Sequence, residues 1–383
     1  MMRRIPIIAA ALGFAALLSG CGELPPMEVT QSGYRGTGMV QVRTPELAAY
    51  LEKVNAAPEV AIPLPPDEGP RASEAYQNVQ VLGNISQGRF LRLMSAITEW
   101  VVPEEVRLDP ASGGGCNYCH NPQNLASDEV YAKVVSRRML QMTYAINTQY
   151  SPHVGATGVT CYTCHRGKAV PEYVWSTRPD EKRSGPFIAG QAGQNDPDVA
   201  VAYSSLPYDP FTPYLRGKEN IRVQGPQFPT PQGASIKQTE QTYGLMMHMS
   251  NSLGVNCTFC HNTNAFSSWE NSNVQRTTAW HGIRMVQTIN AEYIHPLTPV
   301  WAAAKEQWNP AVQSRLGPLG DPWMANCTTC HQGLNKPLNG APMLADYPSL
   351  AGAVAWPPGS EPAAPDPALD PVTDPAAEAS PPT

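Results

Sequence analysis

The pentapeptide Cys-x-x-Cys-His occurs four times in this chain and constrains its fold more than any other feature of the sequence. The copies occupy residues 116–120, 161–165, 257–261 and 327–331. With this spacing two thiols can add to the vinyl groups of a porphyrin while the next imidazole binds the iron. We therefore predict four covalently bound haem c groups. The predicted thioether cysteines are Cys116, Cys119, Cys161, Cys164, Cys257, Cys260, Cys327 and Cys330, and the predicted iron ligands are His120, His165, His261 and His331.

Zinc sites and redox dithiols also use paired cysteines two residues apart. Neither kind of site requires a histidine directly after the second cysteine, yet all four copies have one. The repeated histidine therefore favours haem attachment over both alternatives.

The ninth cysteine, Cys21, has a different sequence context. Arg3 and Arg4 precede an apolar run over residues 5–18, which leads into Leu-Ser-Gly-Cys at residues 18–21. This pattern is typical of a bacterial lipoprotein signal and is short for a membrane span. We predict cleavage after Gly20 and a lipid on Cys21. The alternative is a structural or disulfide-bonded cysteine, but the other eight cysteines belong to the motifs and none is left to pair with Cys21. Export also agrees with haem attachment, which occurs outside the bacterial cytoplasm.

Composition restricts the fold class and the partners. Forty prolines and 30 glycines among 383 residues indicate much irregular chain. We expect a mainly α protein whose interior consists largely of haem, so that the chain folds poorly without haem. The net charge of −6 argues against a nucleic-acid partner and is compatible with a basic soluble redox partner.

Amphipathic helix patterns cover residues 88–100, 128–150, 237–253 and 273–293, and a helix precedes a motif twice in each half of the sequence. The same repeat relates Ala-Ile-Asn at residues 145–147 to Thr-Ile-Asn at residues 288–290. We therefore predict two pseudo-symmetric dihaem halves packed around the four haems. The predicted organisation is a signal peptide at 1–20, a lipid-anchored extended leader at 21–76, the first dihaem half at 77–168, a connecting segment at 169–235, the second dihaem half at 236–335, and a largely disordered Pro/Ala/acidic tail at 336–383.

Methionines on the helices that precede the motifs are candidates for the second axial ligand. Met94 and Met139 each lie 22 residues before the next motif cysteine, and Met246 lies 11 residues before Cys257. A thioether ligand raises the haem potential relative to a second imidazole. The alternative is apolar core filler, which we expect for Met142, Met247, Met249 and Met285. No methionine stands at either spacing before Cys327, which leaves His153, His248, His281 and His295 as open candidates for the fourth haem.

The chain resembles the tetrahaem cytochrome subunit of photosynthetic reaction centres of purple and related phototrophic bacteria. The resemblance spans about residues 90–333 and combines the four haem motifs with the lipoprotein cysteine. It is closest at residues 90–100 (FLRLMSAITEW), 137–147 (RRMLQMTYAIN), 158–165 (GVTCYTCH) and 253–262 (LGVNCTFCHN).

The resemblance implies Met94, Met139 and Met246 as sixth ligands of the haems on His120, His165 and His261. It also implies that His153 crosses between the halves to ligate the haem on His331, with His295 as an alternative. One bis-histidine haem of lower potential would then accompany three histidine–methionine haems. The loop between Trp100 and Cys116 is longer here than in the family's usual pattern.

The resemblance also implies an electron carrier rather than an enzyme. The subunit would sit on the periplasmic face of the bacterial inner membrane and re-reduce the photo-oxidised bacteriochlorophyll special pair of the core subunits. Its donor would be a soluble cytochrome c or a high-potential iron–sulfur protein. A multihaem oxidoreductase would need an open iron site, yet all four motifs are regular. A respiratory carrier or quinol dehydrogenase component usually keeps an uncleaved membrane helix, whereas here the apolar run ends at a lipidation signal.

Overall fold

The computed structural model describes residues 26–32, 39–178, 197–219, 221, 235–308 and 314–352. The predicted signal peptide, Cys21 and the end of the predicted tail lie outside these ranges. Within them, helices and irregular chain dominate, and two short two-stranded sheets complete the fold. The strands are β1 Glu28–Ser32, β2 Met39–Arg43, β3 Val174–Trp175 and β4 Met324–Ala325.

The helices are numbered in chain order. They are α1 Pro45–Val54, α2 Ala72–Ala75, α3 Gln87–Val101, α4 Glu104–Arg107, α5 Tyr131–Gln149, α6 Ser151–Val154, α7 Cys161–His165, α8 Ile236–Leu253, α9 Gln275–Thr288, α10 Thr298–Ala303, α11 Cys327–His331 and α12 Met343–Asp346. Two π-helical turns occur at Thr212–Arg216 and Ile289–Ile294, the second continuing α9. Turns of 3-10 helix occupy Pro110–Ser112, Cys116–Tyr118, Gly155–Thr157, Val199–Val201, Cys257–Phe259, His295–Leu297, Lys305–Gln307, Pro337–Gly340 and Pro348–Leu350. None of these helices has both the length and the apolar content that a membrane crossing requires.

Two of the long helices, α3 and α8, begin at a side-chain cap. Ser86 caps α3 by accepting a hydrogen bond from the Arg89 amide, and Ser235 forms a reciprocal capping box with Gln238 at the start of α8. The predicted helix at 128–150 starts too early, because α5 begins at Tyr131; Val130 is its N-cap, and the Val130 side chain provides no cap. Asp128 instead binds Arg137 through both carboxylate oxygens, at 2.7 and 2.8 Å.

The segment predicted as an extended leader contains regular structure. Strands β1 and β2 pair antiparallel, and α1 follows directly. The side chain of Leu51 in α1 is buried, and Met39 in β2 is 2% exposed. These two apolar side chains explain why this part of the leader packs on the body rather than running along it as extended chain.

The described start of the predicted tail is also ordered, contrary to our expectation of disorder from residue 336. Leu338, Met343, Tyr347 and Leu350 are buried in one cluster with Leu93 and Trp100 of α3. Apolar residues are frequent over 337–350, and this stretch can therefore bury enough surface to order itself, unlike the Pro/Ala/acidic sequence after it.

Parts of the predicted connecting segment belong to the core. Tyr214 and Leu215 are almost fully buried in a cluster that includes Ile146, Leu245 and Ile283 from three long helices. Strand β3 pairs with β4 just before the fourth motif, so this segment links the first motif pair to the last motif.

Two asparagines make the same set of hydrogen bonds in the two halves of the sequence. Asn147 donates to the carbonyl of Val159 at 3.0 Å and accepts from its amide at 2.8 Å. Asn290 does the same with Ala325, at 2.9 and 2.8 Å. Val159 and Ala325 each lie two residues before the first cysteine of a motif. Each asparagine therefore ties the chain just before a motif, the second or the fourth, to the helical segment that precedes it.

Replacing Asn290 with alanine should lower the free energy of unfolding by about 3 kcal/mol, because buried backbone groups at Ala325 and Leu215 lose their partner. Thermal unfolding of the haem-loaded protein would show a fall of several degrees in Tm. The matched control is Asn124→Ala, which removes an exposed side-chain bond to the Ala126 amide and should cost little. Equal stabilities of the two variants would contradict the role assigned to Asn290.

Candidate haem sites

All four motif histidines are oriented by a backbone carbonyl. In each case Nδ1 lies within hydrogen-bond distance of a carbonyl oxygen a few residues further along the chain. The pairs are His120 with Leu125 at 3.0 Å, His165 with Lys168 at 2.8 Å, His261 with Phe266 at 3.2 Å, and His331 with Leu334 at 2.9 Å. A carbonyl can only accept, so Nδ1 carries the proton and Nε2 presents its lone pair. This tautomer and orientation are those of an imidazole that binds a metal.

The spacing of these hydrogen bonds divides the motifs into two types. The first and third histidines bond a carbonyl five residues on, and the second and fourth bond one three residues on. The second and fourth motifs are short helices, α7 and α11, whereas the first and third begin with a 3-10 turn. Each half therefore contains one motif of the first type followed by one of the second type, as the predicted duplication requires.

Burial keeps the inner histidines neutral. It lowers the pKa of His165, and it lowers the pKa of His331 to about 4, with a smaller contribution from the nearby His153. Neutral imidazole is the form that binds iron. Both side chains are therefore ready to act as ligands at neutral pH.

A large apolar cavity adjoins the second motif. Its empty volume, including the part open to solvent, is about 1440 Å³. Met139, Cys161, Cys164 and His165 all line it, together with aliphatic and aromatic side chains from α5 and α9. The structure thus brings the predicted thioether cysteines, imidazole and methionine of the second haem to one apolar space. These residues fit an iron porphyrin.

The cavity also reaches two other motifs. Cys119 of the first motif and Cys330 of the fourth motif border the same space. Arg166, which directly follows the second motif, donates to the Cys330 carbonyl at 3.0 Å and to the Gln332 side chain at 2.7 Å. The second and fourth motifs therefore lie against each other.

The first motif lies against the helix that carries Met94. A Cβ built on Gly115, directly before Cys116, would stand 2.8 Å from the Thr98 methyl group. Thr98 lies one helical turn after Met94 and donates to its carbonyl at 2.9 Å. Thr143 donates to the Met139 carbonyl at the same distance, so the two predicted ligands share a local setting.

The third motif follows α8 after a short turn, and Met246 lies on this helix, half-buried beside the main core cluster. The Asn256 amide, just before Cys257, donates to Met39 Sδ at 3.2 Å. Asn273 at the far side donates to the Thr258 carbonyl at 2.8 Å. The motif is therefore held from both sides, whereas Cys257 itself is exposed.

His153 faces His331. Their ring centroids are 6.0 Å apart and the rings are inclined by 70°. Two imidazoles that bind one metal ion through bonds of about 2 Å have centroids roughly 6 Å apart. Nδ1 of His153 bonds the Thr278 carbonyl at 2.9 Å, which leaves its Nε2 free like those of the motif histidines. This pair fits an iron between the two rings.

The other candidate histidines are placed differently. His248 is buried with both ring nitrogens in contact with other groups, Nδ1 with the Ala200 carbonyl at 3.0 Å and Nε2 with the Ser252 hydroxyl at 3.2 Å. His295 is exposed, and its Nε2 lies 3.4 Å from the Arg216 guanidinium. His281 is stacked edge to face with Trp280.

Sequence reasoning missed several residues around these sites. Met285 belongs to the main core cluster and Met142 packs against it, as expected of apolar filler, but their position at the cavity beside Met139 was not foreseen. The roles of Asn147 and Asn290 were also missed, although the repeated Ile-Asn pair in the sequence was their signal.

Comparison with known proteins adds a family context. The sequence family described as "Photosynthetic reaction centre cytochrome C subunit" matches residues 23–351. Three relatives carry the name photosynthetic reaction center cytochrome c subunit. The one from Rubrivivax gelatinosus is 50% identical over 92% of this chain and 91% of its own length. Those from Thermochromatium tepidum and Roseobacter denitrificans are 47% and 36% identical, each over 91% of this chain and over 81% and 92% of their own lengths.

Proposed function

Because the chain belongs to the family of photosynthetic reaction centre cytochrome c subunits, we propose that it re-reduces the photo-oxidised bacteriochlorophyll pair through four haems. Family membership establishes an electron-transfer role in photosynthesis, covalently bound haem c and association with a reaction centre in a membrane. When bound, each haem c takes up and releases one electron at its iron.

We propose that each iron is held by two side chains of this chain. The proposed pairs are His120 with Met94, His165 with Met139, His261 with Met246, and His331 with His153. Two observations support this assignment. Met139 and His165 line the same cavity, and the rings of His153 and His331 face each other. With two side chains on each iron, no position would remain for a substrate, as suits a site that only transfers electrons.

The single observation that carries the proposed function is the common orientation of the motif histidines. Each has Nδ1 tied to a carbonyl, and the fourth has a second imidazole opposite it. Histidines oriented in this way would hold a metal rigidly, which suits an electron carrier better than an enzyme.

The proposed surroundings follow the predicted organisation. A signal peptide at 1–20 would be removed and Cys21 would carry a lipid at the periplasmic face of the inner membrane. The two dihaem halves, 77–168 and 236–335, would be related by pseudo-symmetry, as the repeated hydrogen bonds of Asn147 and Asn290 suggest. The donor would be a soluble cytochrome c or a high-potential iron–sulfur protein, and the net negative charge of this chain would attract a basic donor.

Flash photolysis of membranes that contain this protein tests the proposed function. After the special pair is photo-oxidised, we expect haem absorption to bleach as the pair recovers its electron. Membranes from a strain that lacks only this chain are the control and should show slow recovery without haem bleaching. Recovery at the same rate in both membranes, with no haem oxidised, would contradict the proposal.

A further inference from the structure

Gly282 in α9 lies directly beneath the imidazole of His153. A Cβ built on Gly282 would stand 2.5 Å from His153 Cε1 and 2.8 Å from its Nδ1, closer than real Cβ atoms approach any group. Gly282 lies within a regular helix, where glycine is less favourable than alanine. The close approach of the imidazole is therefore the feature that requires glycine here.

The equivalent position in the first half carries the methionine proposed for the second haem. Asn147 and Asn290 occupy equivalent positions, because the side chain of each bonds both the amide and the carbonyl of the residue two before a motif. Met139 precedes Asn147 by eight residues, and Gly282 precedes Asn290 by eight. The helix before the fourth motif thus lacks a side chain where the helix before the second motif presents a thioether.

We infer that Gly282 is the positioning residue that selects the ligand of the fourth haem. Because position 282 has no side chain, α9 offers no thioether there. The same lack of a side chain leaves the space through which His153 would approach the iron held by His331. This inference rests on the proposed ligation of that haem by His153.

The surrounding contacts hold His153 over this space. Its Nδ1 donates to the carbonyl of Thr278, one helical turn before Gly282. The Tyr150 hydroxyl, three residues before His153, bonds the Thr288 hydroxyl at 2.6 Å. Both bonds join the chain around His153 to α9, so a side chain at position 282 would separate the ring from its carbonyl and from His331.

A ligand-exchange experiment tests the inference in the haem-loaded protein. His153→Ala should leave one iron with a single ligand, and the reduced protein should then bind about one carbon monoxide per four haems. Adding Gly282→Met supplies a thioether at the position equivalent to Met139, with the imidazole no longer in the way. We expect the double variant to lose carbon monoxide binding and to contain a haem of higher potential than the wild-type bis-histidine haem. Carbon monoxide binding at the level of His153→Ala alone would overturn the inference.

Gly282→Ala provides a second test, with Gly88→Ala as the control. Gly88 is an exposed helical glycine whose added Cβ would make only ordinary contacts with Pro65 at 3.7 Å. We expect Gly282→Ala to lose the electron paramagnetic resonance signal of the bis-histidine haem and Gly88→Ala to keep it. If His153→Ala changes neither this signal nor carbon monoxide binding, the proposed ligation fails. If His153→Ala changes both but Gly282→Ala keeps the signal, the ligation stands and the role of Gly282 fails.

Discussion

Replacing His153 with methionine is expected to raise the midpoint potential of one haem, the one on His331, while all four haems remain covalently attached. A thioether stabilises the reduced iron relative to imidazole, and the potential of that haem should therefore move towards those of the histidine–methionine haems. Gly282 leaves space beside position 153, so a methionine there meets no obstructing side chain from α9. A potentiometric titration followed at the haem absorption bands measures the change.

Two histidines serve as controls for this substitution. His281→Met and His295→Met change the same kind of side chain at positions that do not face a motif histidine. We expect both to leave all the midpoint potentials in place. A shift in the His295 variant with none in the His153 variant would assign the ligand to the second half instead.

Removal of the second haem is expected to cost a large part of the folding free energy. The cavity around Met139 and His165 is apolar and adjoins both core clusters, so the empty chain would expose this lining to water. The total stability of a domain is about 5–15 kcal/mol, and the loss should be of that order. The variant Cys161→Ser/Cys164→Ser should therefore accumulate poorly and unfold without a cooperative transition.

The third motif provides the matched comparison. Cys257 is exposed, whereas Cys161 is partly buried and lines the cavity. We expect Cys257→Ser/Cys260→Ser to lose one haem and to destabilise the protein less than the change in the second motif. Circular dichroism during heating, with haem content measured in the same sample, distinguishes the two variants. Similar unfolding of both would show that the central cavity does not depend on its haem for stability.

The sequence was most informative where chemistry demands fixed spacing. The motif cysteines and histidines followed from the pentapeptide alone, and the long helices at 87–101 and 236–253 followed from their apolar periodicity. Helix ends were less predictable: α5 begins at Tyr131, whereas the apolar pattern predicted a start at residue 128. Asp128 binds the Arg137 side chain instead, a contact that helix propensity does not predict.

Contacts between distant parts of the chain could not be obtained from the sequence pattern. The sequence pattern alone left four histidines open for the fourth haem; the family resemblance implied His153, and its position opposite His331 in the fold supports that proposal. The reason for that placement is a missing side chain at Gly282, and a glycine inside a helix carries no obvious signal of its partner. Likewise, the packing of residues 337–350 against α3 depends on a surface formed only in the folded chain.

The most direct test of the account is the carbon monoxide difference spectrum of the reduced native protein, scaled to its haem content. If the chain supplies both axial ligands of every iron, the spectrum should show no stoichiometric complex at any haem until the protein is denatured. Formation of a complex at one or more haems per chain in the native protein would contradict the account, because an iron with an open position is not the saturated electron carrier proposed here.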